Sequence, residues 1–136
     1  MPAPRYLLDT NMVSYLLKGT SLAADRRLNE TAVGEVAISA VTEGEIRYGT
    51  AKLSLGAKLH VLISNFLVGV VVLPWDSAAA QEYGPLRVQL ERTGQVMGGL
   101  DMMIAAHALA LGAILVTNDR AFSRIRRLKN EDWTKE

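Results

Sequence analysis

Four acidic residues, Asp9, Glu45, Asp101 and Asp119, stand at the turns of a chain that alternates strand and helix patterns. Carboxylate oxygens suit hard divalent cations such as Mg2+, which bind through oxygen and often take only a few ligands from protein. Ions held there would polarise a phosphoryl oxygen, generate hydroxide from water and stabilise the leaving oxygen, which is the chemistry of phosphodiester hydrolysis. Asp101 alone could be a first-turn helix acid and Asp119 alone a turn residue, both common uses. Four acids converging on one pocket fit structural needs poorly, because unpaired carboxylates repel and must take up protons or bind cations.

The elements that must position these acids follow from the apolar pattern. Tyr6 to Leu8, Val36 to Ile38, Val70 to Leu73 and Ala113 to Val116 are short continuous apolar runs, as expected of strands buried on both faces. Between them helices are expected over Asn11 to Lys18, Leu22 to Leu28 capped by Ser21, Val41 to Leu53, Ala57 to Leu67, and a long stretch from Asp76 or Ser77 to Arg92. Gly84-Pro85 should kink or split that long helix, since proline lacks a backbone donor and clashes with the preceding turn. Gly98 to Asp119, reading GGLDMMIAAHALALGAILVTND, supplies a further helix opened by Asp101, a turn at Gly112, a strand, and Asp119. A helical turn over Ala121 to Ile125, a basic run and a last edge strand between Leu128 and Trp133 complete the chain.

This rhythm predicts a single α/β domain over residues 1–136, with a central, mostly parallel sheet of four to five strands and helices on both faces. In such sheets strands end and helices begin at the edge where ligands bind. Asp9 follows the first strand, Ser39 the second and Asp119 the fourth, while Asp101 opens the helix before the fourth. On the helix after Ser39, Thr42, Glu45, Ile46, Gly49 and Leu53 share one face, so Glu45 points inward. Glu43 lies roughly 200° around the helix from Glu45, and its i, i+4 spacing to Arg47 predicts a surface ion pair.

At 136 residues, with 49% hydrophobic and 21% charged content, the chain is long enough for one substantial core and is not disordered. Its formal charge of +1 provides no global field for nucleic acid or membrane, so only local clusters can attract a polyanion. The absence of cysteine excludes disulfides, thiolate metal sites and a cysteine nucleophile, and fits a cytoplasmic protein. No leader pattern or apolar run of bilayer length occurs, so no membrane association is expected.

The turn LLDTN with Asp9, the segment ISAVTEGEIRYG with Glu45, the central stretch with Asp101 and Asp119, and the closing EDW with Trp133 together resemble a PIN-domain ribonuclease, and within that family the VapC toxins of bacterial type II toxin-antitoxin pairs. The likeness spans essentially the whole chain in four ordered motifs. It implies a metal-dependent endoribonuclease using Mg2+ or Mn2+, with Asp9, Glu45 and Asp101 as the core metal-binding acids and Asp119 as the more variable fourth. Thr10, Asn11, Ser39, Thr117 and Asn118 would orient these acids or position RNA. It also implies a homodimer and a cognate antitoxin, lying across an apolar groove around Leu16, Leu17 and Ile46. Gly99, Glu43, Pro85 and a short loop after Asp119 depart from the family pattern and bear on the shape of the groove.

His107 lies six residues beyond Asp101, roughly 240° around its helix, and is expected to be structural; His60 has no partner motif. The methionines at 97, 102 and 103 read as core or interface filler. Arg120, Arg124, Arg126, Arg127 and Lys129 form a basic cluster beside Asp119 that is either a solvated face or a cradle for RNA phosphates, with Arg120 and Arg124, four apart, expected to share a face of the short helix. Three other functions are compatible with an acid pocket of this size. A phospho-accepting receiver domain would show paired acids after the first strand, where Thr10 and Asn11 stand. A DxD phosphatase would need an acid at Asn11, which cannot transfer protons. A PIN fold retained only for protein binding would have no use for intact acids.

Overall fold

The computed structural model describes residues 4–53 and 57–135. Five strands, β1 (Tyr6–Leu8), β2 (Val36–Ser39), β3 (Val71–Leu73), β4 (Ile114–Val116) and β5 (Asn130–Glu131), form one sheet in the order β3-β2-β1-β4-β5, with every pairing parallel. The expected sheet is therefore present, and among the described residues it contains no antiparallel strand. Its helices are α1 (Thr10–Lys18), α2 (Leu22–Glu30), α3 (Ala40–Leu53), α4 (Ala57–Gly69), α5 (Ser77–Arg92) and α6 (Gly99–Leu111).

Alternation along the strands divides the core into two layers. Leu7, Ala37 and Leu115 face α5 and α6, where Leu86, Leu90, Ile104 and Ala108 are buried. Tyr6, Leu8, Val36, Ile38 and Val116 face the opposite layer with Met12 and Val13 of α1, Ala24 of α2 and Ile63 of α4. Helix α3 bridges the two, since Val41 packs against the first layer and Ile46 belongs to the second. Gly19 and Gly112 end α1 and α6 with φ of 64° and 65°, a left-handed conformation that glycine adopts without a Cβ penalty.

Four expectations change. Helix α5 runs unbroken through Pro85. Gln81 and Pro85 are both exposed, so the carbonyl that loses its helical donor lies on the solvent side. Strand β3 is only half-buried because it is an edge strand with one neighbour, and β5 shrinks to two residues. Finally, Arg120–Arg124 is a 3-10 helix, whose three residues per turn align Arg120 with Ser123 and turn Arg124 about 120° away.

The chain builds the sheet outward from β1 to β3 and then crosses to β4 on the other side of β1. The switch point therefore lies between β1 and β4, and the crevice beyond their carboxyl ends is where open α/β sheets bind ligands.

Candidate active site

Asp9 and the Thr117–Asp119 turn face each other across this switch point. The Asp9 backbone continues the ladder, its N–H donating to the Val116 carbonyl at 3.0 Å, and the residue then caps α1. Asp9 Oδ1 accepts from the Met12 N–H at 2.8 Å and Oδ2 from the Thr117 hydroxyl at 2.5 Å. Each oxygen is thereby aimed with a lone pair to spare. Glu45 is fixed by the Thr10 hydroxyl, which donates to Oε1 at 2.6 Å. Asp119 caps the 3-10 helix, accepting from the Ala121 N–H at 2.9 Å, while its own N–H donates to Thr117 Oγ1 at 3.0 Å. Asp101 sits in the first turn of α6 and accepts no hydrogen bond among the described residues.

Electrostatics link the four acids. Burial, followed by the charges of Asp101 and Asp119, pushes the Asp9 carboxyl up to about 6 against the lowering effect of its hydrogen bonds to Thr117 and Met12. Asp101 is raised by burial and then by Glu45 and Asp119. Arginine partners serve other acids, in the pairs Arg27–Glu131, Arg47–Glu43, Arg87–Glu91 and Arg127–Glu82. The site is thus a set of hard oxygen donors with uncompensated mutual repulsion, a donor chemistry that fits Mg2+ or Mn2+. Among the described residues no three such groups gather tightly enough to grip one ion unaided.

The residues expected around the acids divide. Thr10 and Thr117 touch them directly, as above. The buried Ser39 hydroxyl instead contacts His107 Nδ1 at 2.9 Å and accepts from the Val41 N–H at 3.1 Å, so this pair locks α6 onto the end of β2. Burial lowers the His107 pKa, and a neutral ring fits that role. Asn118 donates to the Tyr15 hydroxyl at 2.9 Å, and Asn11 is exposed. Sequence reasoning missed Tyr15, whose i+4 spacing from Asn11 puts the two on one side of α1. Glu43 forms the surface pair with Arg47, at 2.8 Å, while Thr42 and Ile46 of the neighbouring stripe are buried. Of the basic cluster, Arg120 lines a hollow with Asp119, Arg127 pairs with Glu82 on α5 at 3.3 Å, and Arg124 and Arg126 are exposed.

The raised Asp9 pKa has a stability consequence. The folded chain binds this proton more tightly than the unfolded one, so the contribution is full below about pH 4 and is lost as pH rises through 6. In metal-free protein the difference in stability between Asp9→Asn and wild type should grow by about 2–3 kcal/mol in favour of the variant between these limits, since asparagine keeps the helix cap without the charge. Thermal melts of both proteins in chelator from pH 4 to pH 7.5 measure this; parallel curves would remove it.

A PIN domain model matches residues 6–128. The chain is 37% identical over 131 residues to the tRNA(fMet)-specific endonuclease VapC of Shigella flexneri, covering 96% of this chain and 98% of that protein. It is 35% identical over 130 residues to ribonuclease VapC2 of Haemophilus influenzae, covering 95% and 98%. The crystal structure of DNA-bound VapBC from Salmonella typhimurium superposes with a TM-score of 0.90 at 33% identity, over 96% of this chain and 98% of that one.

Proposed function

This chain belongs to the PIN-domain family, and we propose that it is a metal-dependent endoribonuclease acting as the toxin of a type II toxin-antitoxin pair. The observation that carries this reading is the mutual repulsion of Asp9, Glu45, Asp101 and Asp119 at the β1–β4 switch point, with no ion pair to relieve it among the described residues. Bound Mg2+ or Mn2+ supplies Lewis-acid polarisation of the phosphodiester and an activated water. The chain's part is orientation: Thr117 and the Met12 N–H aim Asp9, Thr10 aims Glu45, and the Ala121 N–H aims Asp119. Ser39 acts through His107 by fixing α6, which carries Asp101. Sequencing of RNA 5' ends after brief expression of wild type beside Asp9→Asn tests the activity and identifies the target together. New ends common to both would reject it. A PIN fold kept only for protein binding would yield no new ends, and a receiver-like domain would instead trap an acyl phosphate.

The register of α3 gives an internal control. Glu45→Gln should abolish cleavage, whereas Glu43→Gln, which removes only a surface pair worth about 0.3–0.5 kcal/mol, should be nearly silent. Equal losses would place the wrong glutamate in the site.

Arg120, Arg124 and Arg126 are assigned to gathering RNA phosphates; Arg127 belongs with them in sequence, but its guanidinium is paired with Glu82. Replacing Arg120 and Arg124 by alanine should raise KM and reduce the salt slope by about 0.7 for each phosphate that is no longer neutralised. The single-turnover rate at saturating RNA should hold. An unchanged slope would make the cluster a solvated face.

The antitoxin partner fits a groove of about 230 Å3 between α1, α3 and α4, lined by Leu17, Ile46, Leu59 and Ile63, with Glu45 on its wall. Leu16, expected there too, does not line it. A homodimer is implied by the family resemblance, and Val88, Val96 and Leu100 are exposed apolar side chains that such a contact could cover. No helix among the described residues is long and apolar enough to cross a membrane.

A further inference from the structure

The β1–β4 crevice contains more than acids. On its α1 side a hollow of about 440 Å3 is walled by Asn11, Ser14, Tyr15, Lys18 and Asn118. The first four fall at i, i+3, i+4 and i+7, so α1 presents them as one stripe. Asn118 forms the facing wall, joined to Tyr15 by the 2.9 Å hydrogen bond. Asn118 also lines the neighbouring hollow that holds Asp119, so the two share a wall at the carboxyl end of β4, with Asn11 on the opposite wall two positions after Asp9. Yet its walls carry no carboxylate and a single cation. A hollow of the same volume, about 440 Å3, across Asn118 differs in being lined by charges of both signs, Asp119 and Asp132 with Arg120 and Lys135, and by no aromatic ring.

We propose that the α1-side hollow receives the base of one unpaired RNA nucleotide beside the cleaved phosphodiester and selects that base through Asn11. The inference rests on the ribonuclease reading above. Proteins read single-stranded RNA by splaying bases onto aromatic rings and bonding their edges. Here Tyr15 supplies the ring, held in place by Asn118. The Asn11 carboxamide makes no hydrogen bond among the described residues and offers a donor and an acceptor side by side. That pair matches the N6 and N7 edge of adenine. Lys18, exposed and without an ion pair among the described residues, meets the adjoining phosphate. A neutral base fits a lining free of carboxylates with an aromatic ring, and the charged hollow, which has no ring, lacks that fit.

Asn11→Ala is the discriminating variant, because the side chain is exposed and unbonded, whereas Ser14 and Lys18 also line the apolar groove. Wild type and variant are given a single-stranded RNA pool randomised in sequence, and the cleaved ends are sequenced. Wild type should favour adenine at one position beside the cut by roughly 5- to 100-fold, and Asn11→Ala should flatten that position alone. An unchanged profile, or a rate loss equal for all sequences, overturns the proposal. A readout without cleavage uses side-chain amide resonances of the Asp101→Asn chain with oligoadenylate or oligouridylate. The Asn11 and Asn118 signals should shift more with oligoadenylate; no shift with either overturns the hollow. Should wild type cleave nothing while these signals respond, the ribonuclease reading fails and the hollow stands. Cleavage with an unaltered profile in Asn11→Ala has the reverse meaning.

Discussion

Asp101→Asn should eliminate RNA cleavage while leaving the chain folded, with a single-turnover rate lower by on the order of 10³-fold or more if the lost charge removes several kcal/mol of transition-state stabilisation. Asp101 is the hub of the site, because its charge raises Asp9 and it is itself raised by Glu45 and Asp119. It is also the acid whose oxygens accept no hydrogen bond among the described residues, which leaves them available to a cation. Its unfavourable setting means that neutralisation relieves repulsion, so the thermal midpoint of the metal-free variant should equal or exceed that of wild type. Loss of cleavage together with a lowered midpoint would mark Asp101 as structural. Asp119→Asn should lower activity less, since the family resemblance makes it the more variable fourth acid.

The largest stability effect should follow Trp133→Ala, at about 3–5 kcal/mol, which for a chain of this size lowers the thermal midpoint by on the order of 10 °C. Trp133 is 1% exposed and meets the Tyr6 ring edge-on at 5.2 Å. Its indole N–H donates to Glu131 at 3.1 Å, and the Arg27 guanidinium lies 5.2 Å over its ring while bonding Glu131 at 2.9 Å. One side chain thus fastens the two-residue strand β5 and helix α2 to the start of β1. Trp133→Phe keeps the ring contact but loses the N–H, and should cost less than half as much. A midpoint for Trp133→Ala within about 2 °C of wild type, less than the shift that 1 kcal/mol produces in a chain of this size, would show that β5 is held by its ladder alone.

Local signals in the chain accounted for most of the frame. Continuous apolar runs marked β1, β2 and β4 because strands buried on both faces need no alternation. Gly19 and Gly112 marked helix ends because both positions require positive φ. The inward stripe of α3 separated Glu45 from Glu43 by angle alone. What local pattern could not supply were pairings across the chain: Thr117 with Asp9, Thr10 with Glu45, and Asn118 with Tyr15, each joining residues far apart in sequence. Ser39 looked like a site residue because it ends β2 at the right edge, and only packing against α6 reveals its bond to His107. Pro85 suggested a kink or a split, and the split does not occur because the lost hydrogen bond lies on the exposed side, where water can replace it. Arg120 and Arg124 suggested a shared face because α and 3-10 periods are indistinguishable over five residues.

The most direct test of the metal-dependent site is cleavage of single-stranded RNA by the purified chain, freed of antitoxin and stripped with chelator, as Mg2+ is returned. Wild type should show no cleavage in chelator and a saturable return with added Mg2+ or Mn2+, while Asp101→Asn and Glu45→Gln stay inactive at every concentration. Cleavage that persists in chelator, or that either variant performs at the wild-type rate, would contradict the account.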